Sequence, residues 1–520
     1  MATQWQTFPI EFKGGLLSNL SPLQQGTSAV GSATILQNYE PSLQGGYAKI
    51  KGYNKFNSSA VTGSGLITGL KIVGVNTAIA VRNDIYYHVT NGAITQAHTT
   101  GGGTDHASRT TSVNKVRGVV YNFNGTDKAV FVDGVNYPAF YDSSANANAC
   151  ISFITSGSSG TPANVLGAKF VAVFNDCLFF VKGNNLVSLI IKTDNDFGSG
   201  QPSVTNYADE ITGLIPFRDQ LILFTRQAIF KITGTSGNFK SAEITTQIGC
   251  IQPDTIAEVG GDILFLAPDG IRSLASTDRI GDFGLDVASA PIKKDIDTFI
   301  TGTFHAVTLR EKAQYRIFQY LSTVQDEAAL GFLATKYVAQ GGTGLSWGKI
   351  VGINAYVTDS RYMGTSGVSN EVILFANDDG YIYRMESIDT FDGTAISSIF
   401  QSPPMPVTDP LVRKTFYKLI LYIDTTGTFS CTLSLEYDKG SPDIIQPSPS
   451  TVQSSVAGNA LVYGGTTYSV GLYGSELDKI YTTNVVGSGK TVTLRIEDKT
   501  TTVNYRLDTA LLEYANNDRQ

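Results

Sequence analysis

The feature that most constrains this chain is a hairpin signal that keeps returning. The apolar run 78–81 (AIAV) passes Arg82-Asn83-Asp84 into 85–89 (IYYHV), and 129–132 (AVFV) turns at Asp133-Gly134. Run 170–174 (FVAVF) passes Asn175-Asp176 into 177–181 (CLFFV) and turns again at Lys182-Gly183. Run 214–217 passes Arg218-Asp219 into 221–224 (LILF), and 256–259 passes Gly260-Gly261 into 263–266 (ILFL). Run 372–375 (VILF) turns at Asp378-Asp379-Gly380 into 381–384 (YIYR), with a weaker example at 314–320 (QYRIFQY). Short β-prone runs joined by Asn, Asp and Gly are hairpin signals, because those residues accept the positive φ that tight turns need. The centres fall near residues 80, 130, 177, 221, 264, 317 and 374. Steps of about 40 to 57 residues suit four-stranded propeller blades. One hairpin is marginal alone, whereas stacked blades bury both faces of each small sheet. The rival is an array of β-sandwiches, which also turns every ~8–12 residues. The expectation is therefore an all-β chain: a β-propeller of about six to eight blades, with an additional β-sandwich domain.

Composition agrees. The chain has 520 residues, of which 38 + 45 = 83 are charged, or 16 %, and 42 % are hydrophobic. That apolar fraction excludes a disordered chain. The formal charge of −7 and pI near 5.3 argue against a nucleic-acid clamp, which needs clustered Lys and Arg. The apolar runs are strand-sized, far short of the ~20 residues of a spanning helix, so no membrane anchor is expected. The first residues lack a signal-peptide pattern, which points to synthesis in a cytoplasm. The four cysteines, Cys150, Cys177, Cys250 and Cys431, are widely spaced and read as unpaired, mostly buried thiols.

Four regions follow. Residues 1–64 read as an extended N-terminal arm, partly packed on the propeller, with one short strand within 28–36. Residues 65–400 are the propeller. Residues 401–410 (QSPPMPVTDP) carry four prolines and read as a stiff linker. Residues 411–520 hold runs such as 416–423 (FYKLILYI) and the alternating 429–437 (FSCTLSLEY), a C-terminal β-sandwich-like domain. Helix is tolerated at 290–300, after Ala290-Pro291, and at 326–335.

Motifs that mimic chemistry dissolve on inspection. Residues 484–491 (NVVGSGKT) end like a phosphate-binding loop, but a strand-like VTLRIED follows where a helix is required. Residues 341–348 (GGTGLSWG) lack the βαβ unit of a dinucleotide fingerprint and read as a loop. His88, His98, Asp105 and His106 match no compact metal-ligand spacing and read as solvated loop residues. Residues 194–198 (DNDFG) and 377–380 (NDDG) fit no calcium loop and read as Asp/Asn turns. Lys49, Lys51 and Lys55, Lys293-Lys294, and Arg413-Lys414 with Lys418 read as solvated basic faces. No catalytic residue, cofactor-binding residue, metal ligand or channel-lining residue is nominated, no cofactor is expected, and the chain is not expected to be an enzyme.

Asn38-Tyr39-Glu40-Pro41 and residues 45–53 (GGYAKIKGY) resemble the start of the tail nozzle proteins of short-tailed bacteriophages, also called tail-hub, tail tubular or DNA-stabilising proteins. Residues 217–225 (FRDQLILFT), 228–234 (AIFKITG), 248–250 (IGC) and 260–274 (GGDILFLAPDGIRSL) are similar to the same family. The resemblance implies a structural virion protein built around a β-propeller. It would form a homohexameric ring below the portal and its tail adaptor ring. That ring would be a channel that retains and ejects double-stranded DNA, with tail fibres or spikes as further partners. Six copies would carry 6 × −7 = −42 formal charges, which suits a lining that must not grip phosphates. The alternative is a carbohydrate-binding or glycoside-hydrolysing β-propeller, whose paired carboxylates no sequence spacing can reveal.

Overall fold

The computed structural model describes residues 5–96, 110–142, 150–153, 164–189, 203–235, 238–274, 287–322, 328–339, 342–363, 371–454 and 480–517. Among them, seven small antiparallel meanders form the blades of a β-propeller. Blade 1 is Ile67–Gly74, Thr77–Arg82, Ile85–Thr90 and Ala93–Gln96; blade 2 is Arg117–Phe123, Thr126–Val132, Ala139–Asp142 and Cys150–Phe153. Blade 3 is Phe170–Phe174, Cys177–Lys182, Asn185–Leu189 and Ser203–Asn206; blade 4 is Ile211–Phe217, Gln220–Thr225, Ile229–Thr235 and Asn238–Thr245. Blade 5 is Ala257–Val259, Asp262–Ala267 and Gly270–Ser273; blade 6 is Thr303–Leu309, Gln314–Tyr320, Leu330–Ala339 and Gly342–Val351. Blade 7 is Val357–Tyr362, Glu371–Ala376 and Ile382–Met385, completed by Tyr53–Lys55 from far upstream.

The turns do what the sequence demands. Asn83 and Asp84 (φ 51° and 63°), Asn175 and Asp176 (47° and 58°) and Gly260 and Gly261 (54° and 77°) place two consecutive residues at positive φ. That is the geometry of a two-residue hairpin whose twist matches its strands. The second strand of each blade is apolar on both faces, because a neighbouring blade covers each one. Residues Ala78, Ile79, Ala80 and Val81 are fully buried, as are Leu221, Leu223 and Phe224. Buried clusters fill the blade junctions; Ile79 and Phe131 share one between blades 1 and 2, and Phe224 and Phe265 meet between blades 4 and 5. The first strands of successive blades adjoin around the axis, and that of blade 7 meets that of blade 1.

The second half is a sandwich fused to blade 6. One nine-stranded sheet runs through the four strands of blade 6, then Ile35–Gln37, Ser398–Gln401, Val492–Asp498, Ser430–Tyr437 and Ser450–Gln453. It packs on a sheet ordered Tyr39–Pro41, Tyr47–Lys49, Tyr505–Asn516, Lys414–Thr425 and Ile480–Gly489, with Gln6–Glu11 paired to Tyr505–Asn516. Strict alternation drives this packing: Leu419, Leu421 and Ile423, with Leu507 and Leu512 beside them on the same sheet, face Leu433, Leu435, Leu494 and Ile496 in one core.

Several expectations change here. The first 64 residues are built into both halves rather than lying along the propeller as an arm, and they include a short helix, Pro22–Ser28. Of the stretch 28–36 expected as a short strand, Ser28 ends the helix and only the last two residues belong to a strand, Ile35–Gln37. The Pro-rich stretch is pinned: Met405 and Val407 are buried, and Met405 exchanges backbone hydrogen bonds with Val492 at 2.9 Å. Ser398–Gln401 already belongs to the sandwich sheet, so the propeller's last strand before it is Ile382–Met385. The window 290–300 folds as Ala290–Ile292 and Lys293–Phe299, both helical. In 326–335, by contrast, Leu330–Ala339 is a strand, because pairing with Gln314–Tyr320 overrides helix propensity. No helix among the described residues is long and apolar enough to cross a membrane.

Candidate functional site

The first strands bring charged side chains to the propeller axis. Lys115 and Arg117 enter from blade 2, Asp254 from the turn Pro253–Thr255 before blade 5, His305 from blade 6 and Tyr356 from just before blade 7. In a ring of seven, blades 2 and 5 lie on opposite sides, so their contact spans the axis. The Arg117 guanidinium donates two hydrogen bonds to the Asp254 carboxylate, at 2.8 and 2.9 Å. Lys115 Nζ lies 3.2 Å from the same carboxylate, 3.4 Å from the Phe304 carbonyl and 4.6 Å from the centre of the Tyr356 ring. The cluster closes the axis at the end where the first strands begin.

Electrostatics fix the protonation states. Burial alone would raise the Asp254 carboxyl, but Arg117 and Lys115 outweigh it and hold the group well below the usual carboxylate range. Burial lowers Lys115, with Asp254 opposing. Burial, then Lys115, push the His305 imidazole down to about 3, so it is neutral at pH 7. Its Nδ1 lies 3.2 Å from the Tyr356 carbonyl and 3.5 Å from Lys115 Nζ.

Above this stopper lies an axial cavity of about 600 Å³, walled by blades 4 to 7. Its polar lining includes Glu258, His305, Thr308, Arg310, Thr358 and Asp359. Asp359 is held by Lys71 at 2.8 Å and by the Ile72 N–H at 2.7 Å.

A second charged cluster joins the two halves. Arg316 of blade 6 is fully buried between Glu40 of the sandwich (2.9 Å) and Glu386 just after blade 7 (2.8 Å). Lys312 reaches both carboxylates at 2.5 Å, and Gln314 donates to Glu40. Burial would raise Glu386, but Arg316 and Lys312 hold it below its ordinary value. Nearby, Lys49 and Asp498 form a fully buried pair at 2.7 Å.

The residues singled out in the sequence fall elsewhere. Lys49 is not a solvated lysine but the buried partner of Asp498, because its strand, Tyr47–Lys49, sits inside the sandwich sheet. Lys414 is likewise buried and donates to the carbonyls of Pro406, Asp409 and Lys490. His88 lies on a strand, half-buried, with its ring 5.9 Å from that of Tyr141. His98, Asp105, His106 and residues 194–198 lie outside the described residues. At 377–380 the Asn377 and Asp379 carboxamide and carboxylate oxygens accept the N–H groups of Asp379 and Tyr381, which is turn chemistry. Residues 484–491 are the end of strand Ile480–Gly489 and the turn into Val492–Asp498. Gly342–Val351 is a strand rather than a loop, and Trp347 donates from Nε1 to the Ala288 carbonyl. Cys177, Cys250 and Cys431 are buried free thiols. No group of three His, Cys, Asp or Glu suited to a metal ion occurs among the described residues. Sequence reasoning missed Lys115, Arg117, Asp254 and His305 because nothing local distinguishes them; only ring closure brings them together.

No protein-family model and no curated protein matches the chain. Among solved structures it is similar to YCF48 bound to D1 peptide, with 11 % identity and a TM-score of 0.35, over 63 % of this chain and 95 % of that one. It is also similar to the extracellular domain of the putative hybrid two-component system BT3049 from B. thetaiotaomicron (8 %, TM-score 0.39, 65 % of this chain and 41 % of that one). A third is PorZ, a surface component of the type-IX secretion system of Porphyromonas gingivalis (12 %, TM-score 0.30, 66 % and 48 %).

Proposed function

We propose that this chain is a non-catalytic structural subunit that assembles with copies of itself, as its resemblance to short-tailed phage nozzle proteins implies. In that role it forms a homohexameric ring in the virion, docks on the tail adaptor ring, and retains and releases double-stranded DNA. The supporting observation is mechanical. One hydrogen-bonded sheet continues from blade 6 into the sandwich, and the Glu40–Arg316–Glu386 cluster ties the same two halves. A subunit braced in this way resists bending between its halves, as a conduit for a stiff polymer requires. The Asp254 cluster closes the propeller's own axis, so in this reading DNA passes between subunits and not through a blade ring. The test is mass photometry with negative-stain imaging, alone and with the adaptor ring. A species near 6 × 55.7 = 334 kDa with ring-shaped images is expected. A chain that stays monomeric even with the adaptor present sinks the reading.

One observation favours a second reading, a carbohydrate-binding or glycoside-hydrolysing propeller: the axial cavity carries hydroxyls and two carboxylates, Glu258 and Asp359. Release of reducing ends from a polysaccharide panel, diminished by Glu258→Gln, would support it. No release and no retention of glycans would remove it.

A further inference from the structure

We propose that the outer face of the sandwich binds a second copy of this chain about a two-fold axis. The face belongs to four adjacent strands, in the order Gln6–Glu11, Tyr505–Asn516, Lys414–Thr425 and Ile480–Gly489. Alternation turns Leu419, Leu421, Ala510 and Leu512 into the core and their chain neighbours outward. The register sets Pro9, Leu511, Ile420 and Thr482 in one row across the four strands, with Thr509, Tyr422 and Ile480 in the next. Ile420, Tyr422 and Leu511 pack against none of the buried clusters among the described residues. Ile480 is 54 % exposed, and Trp5, 59 % exposed, stacks on Tyr417 at 4.9 Å.

Size and charge select the occupant. At ~3.4 Å per residue and ~4.8 Å between strands, the four strands present about 650 Å². That approaches the roughly 800 Å² each partner buries in a stable protein interface. The uncharged middle lies between two charged ends: Lys418 beside Glu513 at 3.8 Å, and Asp424 beside Arg506 at 3.1 Å. Along each of the two central strands the sign inverts from one end to the other. Midway lie Leu421 and Ala510, which are cross-strand partners. A two-fold axis crossing the strands at that row sets Lys418 of each copy over Asp424 of the other. It likewise sets Glu513 over Arg506, and Ile420 over Tyr422. Stacked sheets cross at ~30°, which displaces these ends by about 5 Å, within reach of Lys and Arg. Asp508 also holds Arg506, and Glu11 at the sheet edge is paired with Lys13, so neither adds an unpaired charge. An apolar middle inside a charged rim is the anatomy of a protein interface. This two-fold contact differs from the head-to-tail contacts that close a ring, and it does not rest on the ring reading.

The test is sedimentation equilibrium of the full chain at low salt. A two-copy step is expected, with a species near 2 × 55.7 = 111 kDa. Lys418→Glu combined with Glu513→Lys keeps the pair within the chain but sets like charges opposite each other across the axis. It should weaken the step at least about tenfold, as should Ile420→Glu. Tyr362→Glu, at an exposed position on blade 7, should leave the step unchanged. Three results overturn the proposal: a monomer at every concentration, association that both face variants leave intact, or equal loss in Tyr362→Glu. A 334 kDa species indifferent to the face variants also overturns it, while the ring reading stands. Hydrogen-exchange protection of the face only when the adaptor ring is added assigns it to that partner instead, and overturns it as well.

Discussion

Asp254→Asn removes one charge from the axis and leaves the shape. In the native chain this carboxylate takes two hydrogen bonds from Arg117 and an ion pair from Lys115. The side chains of Lys115, Asp254 and Arg117 are 8 %, 12 % and 25 % exposed, so solvent screens them only partly. The variant leaves two cations facing an amide. Breaking a buried pair in this way costs about 3–5 kcal/mol, and the lower end is expected because the Asn oxygen still accepts one hydrogen bond. Glu210→Gln is the control: Lys169 and Glu210 are each about half exposed, and such pairs contribute under about 1 kcal/mol. Urea unfolding at pH 7 measures both. The pH dependence supplies a second check. The folded carboxyl sits below its unfolded value of about 3.9, so its contribution is fully present above that pH. It is lost as pH falls toward the folded value, and the gap between native and variant should shrink by about 1 kcal/mol by pH 3. A variant no less stable than Glu210→Gln, or a gap that does not change on acidification, refutes the cross-axis clamp.

Arg316→Met should leave two carboxylates, Glu40 and Glu386, on the single charge of Lys312 and cost about 3 kcal/mol; limited proteolysis should then cut between residues 386 and 398, and a protected junction would contradict the bracing role. Gly487→Ala should destabilise by more than about 2 kcal/mol, because φ is 138° and a Cβ would lie 2.3 Å from the Tyr437 ring; an unchanged midpoint in thermal unfolding would deny that contact. Burial pushes the Cys250 and Cys431 thiols up to about 12, so iodoacetamide at pH 8 should label them only after unfolding, and rapid native labelling in a peptide map would show the core is open.

The blades were legible because their information is local. Asn83-Asp84 and Asn175-Asp176 announce turns, and 78–81 and 221–224 announce strands covered on both faces; the seven hairpin centres coincide with the seven blades. What stayed hidden depends on partners far away in sequence. Nothing near Lys49 points to Asp498, so Lys49 reads as a solvated lysine, and nothing near Glu40 points to Arg316. The prolines of 401–410 read as a stiff linker, and nothing near them shows that Met405 bonds to Val492. For the same reason the axial site was invisible: Glu258 and His305 share a cavity only because blades 5 and 6 are neighbours on the ring.

Two closures in this chain join residues far apart in the sequence: Tyr53–Lys55 completes blade 7 against Ile382–Met385, and Gln6–Glu11 pairs with Tyr505–Asn516. On the ribosome, therefore, the first must wait for residue 385 and the second for the strand that ends at residue 516. Until then the early strands present open edges, which invite pairing with other nascent copies. Contacts of such long sequence separation fold slowly, so yield of the native form should depend on dilution and on holding factors during synthesis more than on the strength of any one contact.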